Sequence, residues 1–99
     1  MRVRARKDSN HNEIVKAFRS MGAMVLDTAQ LGNGAPDLII STNNINVLIE
    51  VKDGSKPPSA RKLTPDEVTF HSEWKGWIEI VCNTDDVINL VNRIRGNHE

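Results

Sequence analysis

Ninety-nine residues suffice for one compact domain and not for two, and a chain of this size buries only about 60–65% of its unfolded surface, so the expected core is modest. With 38% hydrophobic and 26% charged residues the chain falls outside the disordered and collagen-like classes, and no run nears the roughly 18 apolar residues of a membrane span. Its 13 basic and 13 acidic residues cancel, which excludes a protein that coats nucleic acid by bulk charge.

The opening MRVRARKDSN is basic with no apolar stretch behind it, which argues against a secretion signal. Cys82 stands alone and forms neither an internal disulfide nor a thiolate zinc site, so a reducing compartment, the cytoplasm, is expected. Basic residues gather at Arg2, Arg4, Arg6 and Lys7, at Lys56, Arg61 and Lys62, and at Arg93 and Arg95. Each group is either an ordinary solvated face or a set of phosphate contacts that folding assembles.

In chain order, Asn10 followed three residues later by Glu13 offers a helix cap. Ile14, Ala17, Phe18 and Met21 then recur at helical spacing as far as a stop near Gly22. AMVL from Ala23 reads as a strand, and DTAQLGNGAP, with two glycines and a proline, as a loop. DLIIST and INVLIEVK are strands joined by Asn43 and Asn44, which tolerate the positive φ of a tight hairpin. KPPSARK is a polar loop. In LTPDEVTFHSEWKG, Thr64 caps a second helix, Pro65 takes its first position, Glu67 closes a capping box and Gly76 stops it. WIEIVC is a last strand, and NTDDVINLVNRIRG a last helix with Thr84 as cap, acids in its first turn and arginines in its last. The order is αβββαβα, without repeat or linker, which makes residues 1–99 a single α/β domain with helices on a sheet.

If Asn43 and Asn44 form the turn, Thr42 lies opposite Ile45, Ile40 opposite Val47 and Asp37 opposite Glu50. Alternation then gives Leu38, Ile40, Ile45, Val47, Ile49 and Val51 one wholly apolar face, and puts Asp37, Glu50 and Lys52 on the other. Two carboxylates directly opposite each other cost a sheet some tenths of a kcal/mol to about 1 kcal/mol, more if desolvated. A divalent cation offsets that cost, since Mg²⁺ binds through one or two carboxylates and keeps waters that a phosphate displaces. Lys52, roughly 6.5–7 Å along the strand from Glu50, reaches the same spot. A bare Glu-x-Lys on a strand is ordinarily a solvated ion pair; a proline-fixed aspartate after a glycine loop, paired with that glutamate on an apolar strand, makes the cation reading the stronger one.

PD at Pro36 and Asp37, followed across a hairpin by EVK at Glu50 to Lys52, resembles the PD-(D/E)XK nuclease superfamily. With GAPDL, the KLTPDE helix start and the element order, the chain most resembles its VRR-NUC domains, from Glu13 to the CN after the last strand. The resemblance implies a restriction-endonuclease-like fold with a mixed four-stranded sheet flanked by helices. It also implies hydrolysis of DNA phosphodiester bonds with Mg²⁺ or Mn²⁺. Asp37, Glu50 and the Val51 carbonyl would be metal ligands, Lys52 would orient the attacking water, and Glu13 would complete the acidic cluster unless it only caps its helix. Many relatives carry glutamine where this chain has Glu67, whose capping of Thr64 accounts for the difference. Gln30 is assigned to loop solvation, His11 and His71 lack metal-ligand spacing, and Trp74 and Trp77 are assigned to core or interface. Small free-standing relatives resemble Holliday-junction resolvases, which implies a homodimer acting on branched DNA. The alternatives are a restriction-type endonuclease, for which the chain has little room to read base edges, and a non-catalytic DNA-binding or structural module.

Overall fold

The computed structural model describes residues 7–96; Arg2, Arg4 and Arg6 of the first basic group lie outside the described residues. The elements are helix α1 (His11–Ser20), strands β1 (Met24–Asp27), β2 (Leu38–Thr42) and β3 (Ile45–Val51), a 3₁₀ turn (Pro58–Arg61), helix α2 (Pro65–Glu73), strand β4 (Ile78–Val81) and helix α3 (Thr84–Gly96). The expected order is therefore present, and the only addition is the 3₁₀ turn within the KPPSARK stretch. The sheet runs β1-β2-β3-β4, antiparallel except for the parallel β3–β4 pair. It is mixed and four-stranded, as expected.

The hairpin follows its turn chemistry. Asn43 and Asn44 have φ of 54° and 63°, the two left-handed residues of a type I′ turn, and the register pairs Thr42 with Ile45 and Ile40 with Val47. Leu38, Ile40, Val47, Ile49 and Val51 are completely buried on one face, beneath Ile14 and Phe18 of α1 and Val87, Leu90, Val91 and Ile94 of α3. Each such side chain contributes about 1.5–3 kcal/mol on burial, so this face holds the domain together. Helix α2 covers part of the opposite face, where Phe70 and Trp74 border one groove with Ile39 and Leu48. Trp77 instead packs against the main core.

Helix ends depart from the expected forms at three places. Helix α2 ends at Glu73 with Trp74 as its C-cap, so Gly76, two residues further on, is not its stop. Asn10 precedes α1, but its side chain makes no cap bond. Its amide nitrogen donates to the carbonyls of Lys52 and Cys82 at 3.1 and 2.9 Å, which pins the start of α1 to the chain just beyond β3 and β4. At α3 the side-chain cap is Asn83 rather than Thr84, because Asn83 Oδ1 accepts from the Asp86 amide at 2.9 Å. The capping box of α2 forms as predicted, with Thr64 and Glu67 exchanging side-chain bonds to each other's amides. At the far end of the molecule Arg93 pairs with Glu79 at 2.8 Å and Arg95 donates to the Met21 carbonyl.

Candidate active site

Four chain segments meet at the end of β3: the stretch before α1, the glycine loop before β2, the last residues of β3 itself and the start of α2. They enclose a cleft of about 510 Å³ lined by Asp37, Glu50 and Lys52, with Asp8, Asp66 and Glu67 among the other walls. The sheet positions the central group. Glu50 and Lys52 sit two residues apart and therefore project to the same side, away from the apolar face that carries Ile49 and Val51.

Asp37 reaches this place by a route that the hairpin register alone does not predict. Strand β2 begins only at Leu38, whose partner is Ile49, and the Asp37 amide donates to that same Ile49 carbonyl at 2.9 Å. Two residues on one strand thus oppose one on the other, a β-bulge, so Asp37 is not the direct backbone partner of Glu50. The freed carboxylate folds back into the ladder, where Asp37 Oδ2 accepts from the Val51 amide at 2.8 Å. One oxygen of Asp37 is fixed by the backbone and the other remains for the cleft. The N–H and C=O of one strand residue leave on the same side, so the Val51 carbonyl points toward Asp37 as well.

The glycine loop holds this arrangement against α2. Gly34 has φ of +82°, and a Cβ there would lie 2.4 Å from the Asp66 carbonyl oxygen. Only glycine fits so close to another backbone in that conformation.

Electrostatically the cleft is crowded with acids. Glu50 is 2% exposed. Burial first, and then the contacts with Asp37 and Glu67, push its carboxyl far above the ordinary carboxylate range. Its Oε1 atom is buried and has no hydrogen-bond partner. Asp8 is also raised, by burial and by the neighbouring Asp37 and Asp53, against the pull of Lys52. Lys52 has the reverse balance. Burial works against its charge, but the Glu67 carboxylate, 2.8 Å from its Nζ, outweighs burial and raises its pKa. Burial likewise opposes the charge of Glu67, and the bonds from Lys52 and the Thr64 amide overcome it, so that Glu67 is lowered. Lys52 is therefore an ammonium donor, with one N–H engaged and two free.

Asp37, Glu50 and Lys52 are brought together as the sequence leads one to expect, and Glu13 is not. It lies on the exposed side of α1 and borders a different groove, with Lys16, Met21 and Ile88. The acid that the first helix was expected to contribute is replaced in the cleft by Asp8, from the turn before α1. Glu67 is both cap and ion-pair partner, since one oxygen, Oε1, accepts from the Thr64 amide and from Lys52. Gln30 is exposed and does not border the cleft, in keeping with loop solvation. Lys56, Arg61 and Lys62 occupy the segment that joins Lys52 to Thr64, two residues of the cleft wall.

The donor set suits a small hard cation. It offers two carboxylates and a backbone carbonyl. Among the described residues no three His, Cys, Asp or Glu side chains close on a single point, so a caged site of the zinc or calcium type is not built. Two carboxylates with water completing the shell are what Mg²⁺ ordinarily takes.

A mixed four-stranded sheet flanked by helices is consistent with a restriction-endonuclease-like fold. A solved structure of a VRR_NUC domain has this fold: the two superpose with a TM-score of 0.61 over 82% of this chain and 88% of that one, at 22% sequence identity. No family model and no curated protein sequence matches the chain.

Proposed function

We propose that this protein is a metal-dependent endodeoxyribonuclease of the VRR-NUC type, hydrolysing phosphodiester bonds at the cleft of Asp37, Glu50 and Lys52. The observation that carries the reading is Glu50: a buried carboxyl pressed against a second carboxylate beside a buried ammonium. A structural module gains nothing from that arrangement, because carboxylates crowded together and desolvated cost free energy unless a cation offsets it. A site for a divalent ion and a phosphate makes use of each element.

Asp37, Glu50 and the Val51 carbonyl would hold Mg²⁺ or Mn²⁺, and Asp8 would line the cleft beside them without closing on the same point. The bound ion supplies Lewis acidity to the phosphoryl oxygen and makes water a nucleophile near neutral pH. The remaining roles belong to the chain. The Val51 amide fixes the Asp37 carboxylate, Glu67 holds Lys52 in its charged form, and the two free N–H groups of Lys52 orient the attacking water and offset charge growing on the phosphate. Paired with the Glu67 carboxylate at 2.8 Å, Lys52 acts as a donor and not as the base.

The substrate is DNA, with four-way junctions first and flaps second, cut by a homodimer whose two sites serve two strands. The edge strand β1 gives pairing a surface, with Met24 76% and Leu26 61% exposed. Incubating the protein with single-stranded, duplex, flap and junction DNA, with and without Mg²⁺, tests the activity, and light scattering on the same samples tests the pairing. Glu50→Gln is expected to abolish cutting and keep the fold. Wild-type rates from that variant would refute the assignment.

A further inference from the structure

Glu67 and His71 stand four residues apart on α2, and Glu50 and Lys52 two apart on β3. Neighbours on a helix face are roughly 5–6 Å apart at i and i+4, and alternate residues on a strand roughly 6.5–7 Å, so the two rows match in spacing. They also match in partners: Glu67 meets Lys52 at 2.8 Å, and His71 Nε2 faces Glu50 Oε1 at 3.8 Å. The first contact is an ion pair. The second is too long for a hydrogen bond, yet both of its atoms are buried and neither has a partner among the described residues. Two unsatisfied polar atoms thus face each other about 1 Å beyond bonding distance.

His71 does not line the cleft. Its contact is with one oxygen of Glu50, Oε1, and it is no wall of the cleft that holds Asp37, so the second oxygen of Glu50 is left to a cation. A carboxylate has two oxygens, and one facing a donor leaves the other to coordinate. Residues behind the ligands of a metal site commonly fix ligand orientation in this way, and their loss typically costs 10–100-fold in affinity.

We propose that His71 is a positioning residue for the cation site: its Nε2–H closes on Glu50 Oε1 when a divalent ion takes the other oxygen of that carboxylate. The inference rests on the metal-site reading above and deepens it. It assigns a role to a histidine that has no metal-ligand spacing and that no step of the hydrolysis uses directly.

The test measures Mn²⁺ binding, not cleavage, by calorimetry on the whole chain. His71→Leu removes the donor, and His71→Gln places an amide N–H near the position of Nε2. Thermal unfolding without metal records the stability of each variant. The expected result is a roughly tenfold or greater loss of Mn²⁺ affinity in His71→Leu and affinity within about threefold of wild type in His71→Gln. Wild-type affinity in His71→Leu overturns the proposal, and so does an equal loss in both variants, which would make side-chain volume the cause. A readout independent of the variants comes from nitrogen-15 spectra of the wild-type imidazole at saturating Mg²⁺. The proton is expected on Nε2, with a resonance that Mg²⁺ shifts; a proton on Nδ1 alone overturns the proposal even if His71→Leu does not fold. If wild type binds Mn²⁺ and His71→Leu binds it equally well, only the histidine's role fails. If wild type binds none, the cation site itself is gone and this proposal with it.

Discussion

Lys52 is buried to 9% exposure, a place where an ammonium is tolerated only with a partner. Glu67 is that partner and is also half of the α2 capping box, so the two losses separate by choice of variant. Glu67→Gln keeps an acceptor oxygen for the Thr64 amide and for Lys52, and is expected to cost less than about 1 kcal/mol, the scale of one hydrogen bond. Glu67→Ala removes the cap and leaves the ammonium alone, at roughly 2–4 kcal/mol, the sum of a lost cap bond and an unsatisfied charged donor. Denaturant melts of the two variants measure the gap, and equal stabilities would show that the contact does not hold Lys52. Asp53 responds to acid instead. The Ser55 hydroxyl, the Ser9 hydroxyl and the Ser55 amide donate to its carboxylate and hold it at about 2, below the value of about 3.9 for an unfolded aspartate. A depressed carboxylate contributes stability that is complete above about pH 4 and is lost as pH falls through about 2. A titration of the Asp53 carboxyl carbon by NMR is expected to show that low midpoint, and an ordinary midpoint would remove the contribution. At this scale Glu50 and Lys52 were legible because strand alternation places them, whereas Asp37 joins them through a bulge that the hairpin register does not announce. Asp8 and His71 were not, since nothing periodic relates a turn before α1, or a residue on α2, to the end of β3. Glu13 lies away from the cleft because α1 turns Ile14, Val15 and Phe18 into the core and leaves Glu13 on its exposed side.

Among the elements, those with strong local chemistry matched their expected forms. The Asn43–Asn44 turn, the capping box at Thr64 and the glycine stop after α1 each depend on a few adjacent residues, and Gly22 has the φ of +88° that such a stop uses. The bulge at Asp37 was not legible, because it arises where the Gly34 loop must stay close to Asp66 while β2 stays in register with β3. That closeness yields a prediction. Gly34→Ala adds a Cβ at 2.4 Å from a backbone oxygen, in a left-handed conformation that alanine resists, so the loop must move away from α2. The expected cost is roughly 1–3 kcal/mol, or several degrees of melting temperature per kcal/mol in a domain of this size. Because the same loop delivers Asp37, the variant is also expected to lose cleavage at temperatures where it remains folded. A Gly34→Ala protein that melts and cuts like wild type would mean that the loop does not set the position of Asp37.

For the molecule as a whole, the balance of 13 basic against 13 acidic residues hides an uneven distribution. The cleft gathers Asp8, Asp37, Glu50, Asp66 and Glu67 around the single ammonium of Lys52, while Lys56, Arg61 and Lys62 sit in the connection between two parts of its wall. On the proposed nuclease reading, a phosphate backbone approaching along those basic residues would meet repulsion at the centre, which a dication there would convert to attraction. Ca²⁺ has the same preference for oxygen ligands as Mg²⁺ and less demand for octahedral geometry, so it can load the cleft for a binding measurement. Fluorescence anisotropy of a labelled junction is expected to show affinity rising roughly tenfold, about 1.4 kcal/mol, on adding Ca²⁺ at constant ionic strength. Asp37→Ala is expected to bind the same DNA with little response to the ion, because the carboxylate that the ion needs is gone. If DNA binds equally well with and without Ca²⁺, or if Asp37→Ala responds as wild type does, the phosphate does not enter through this cleft and the basic segment binds DNA by itself.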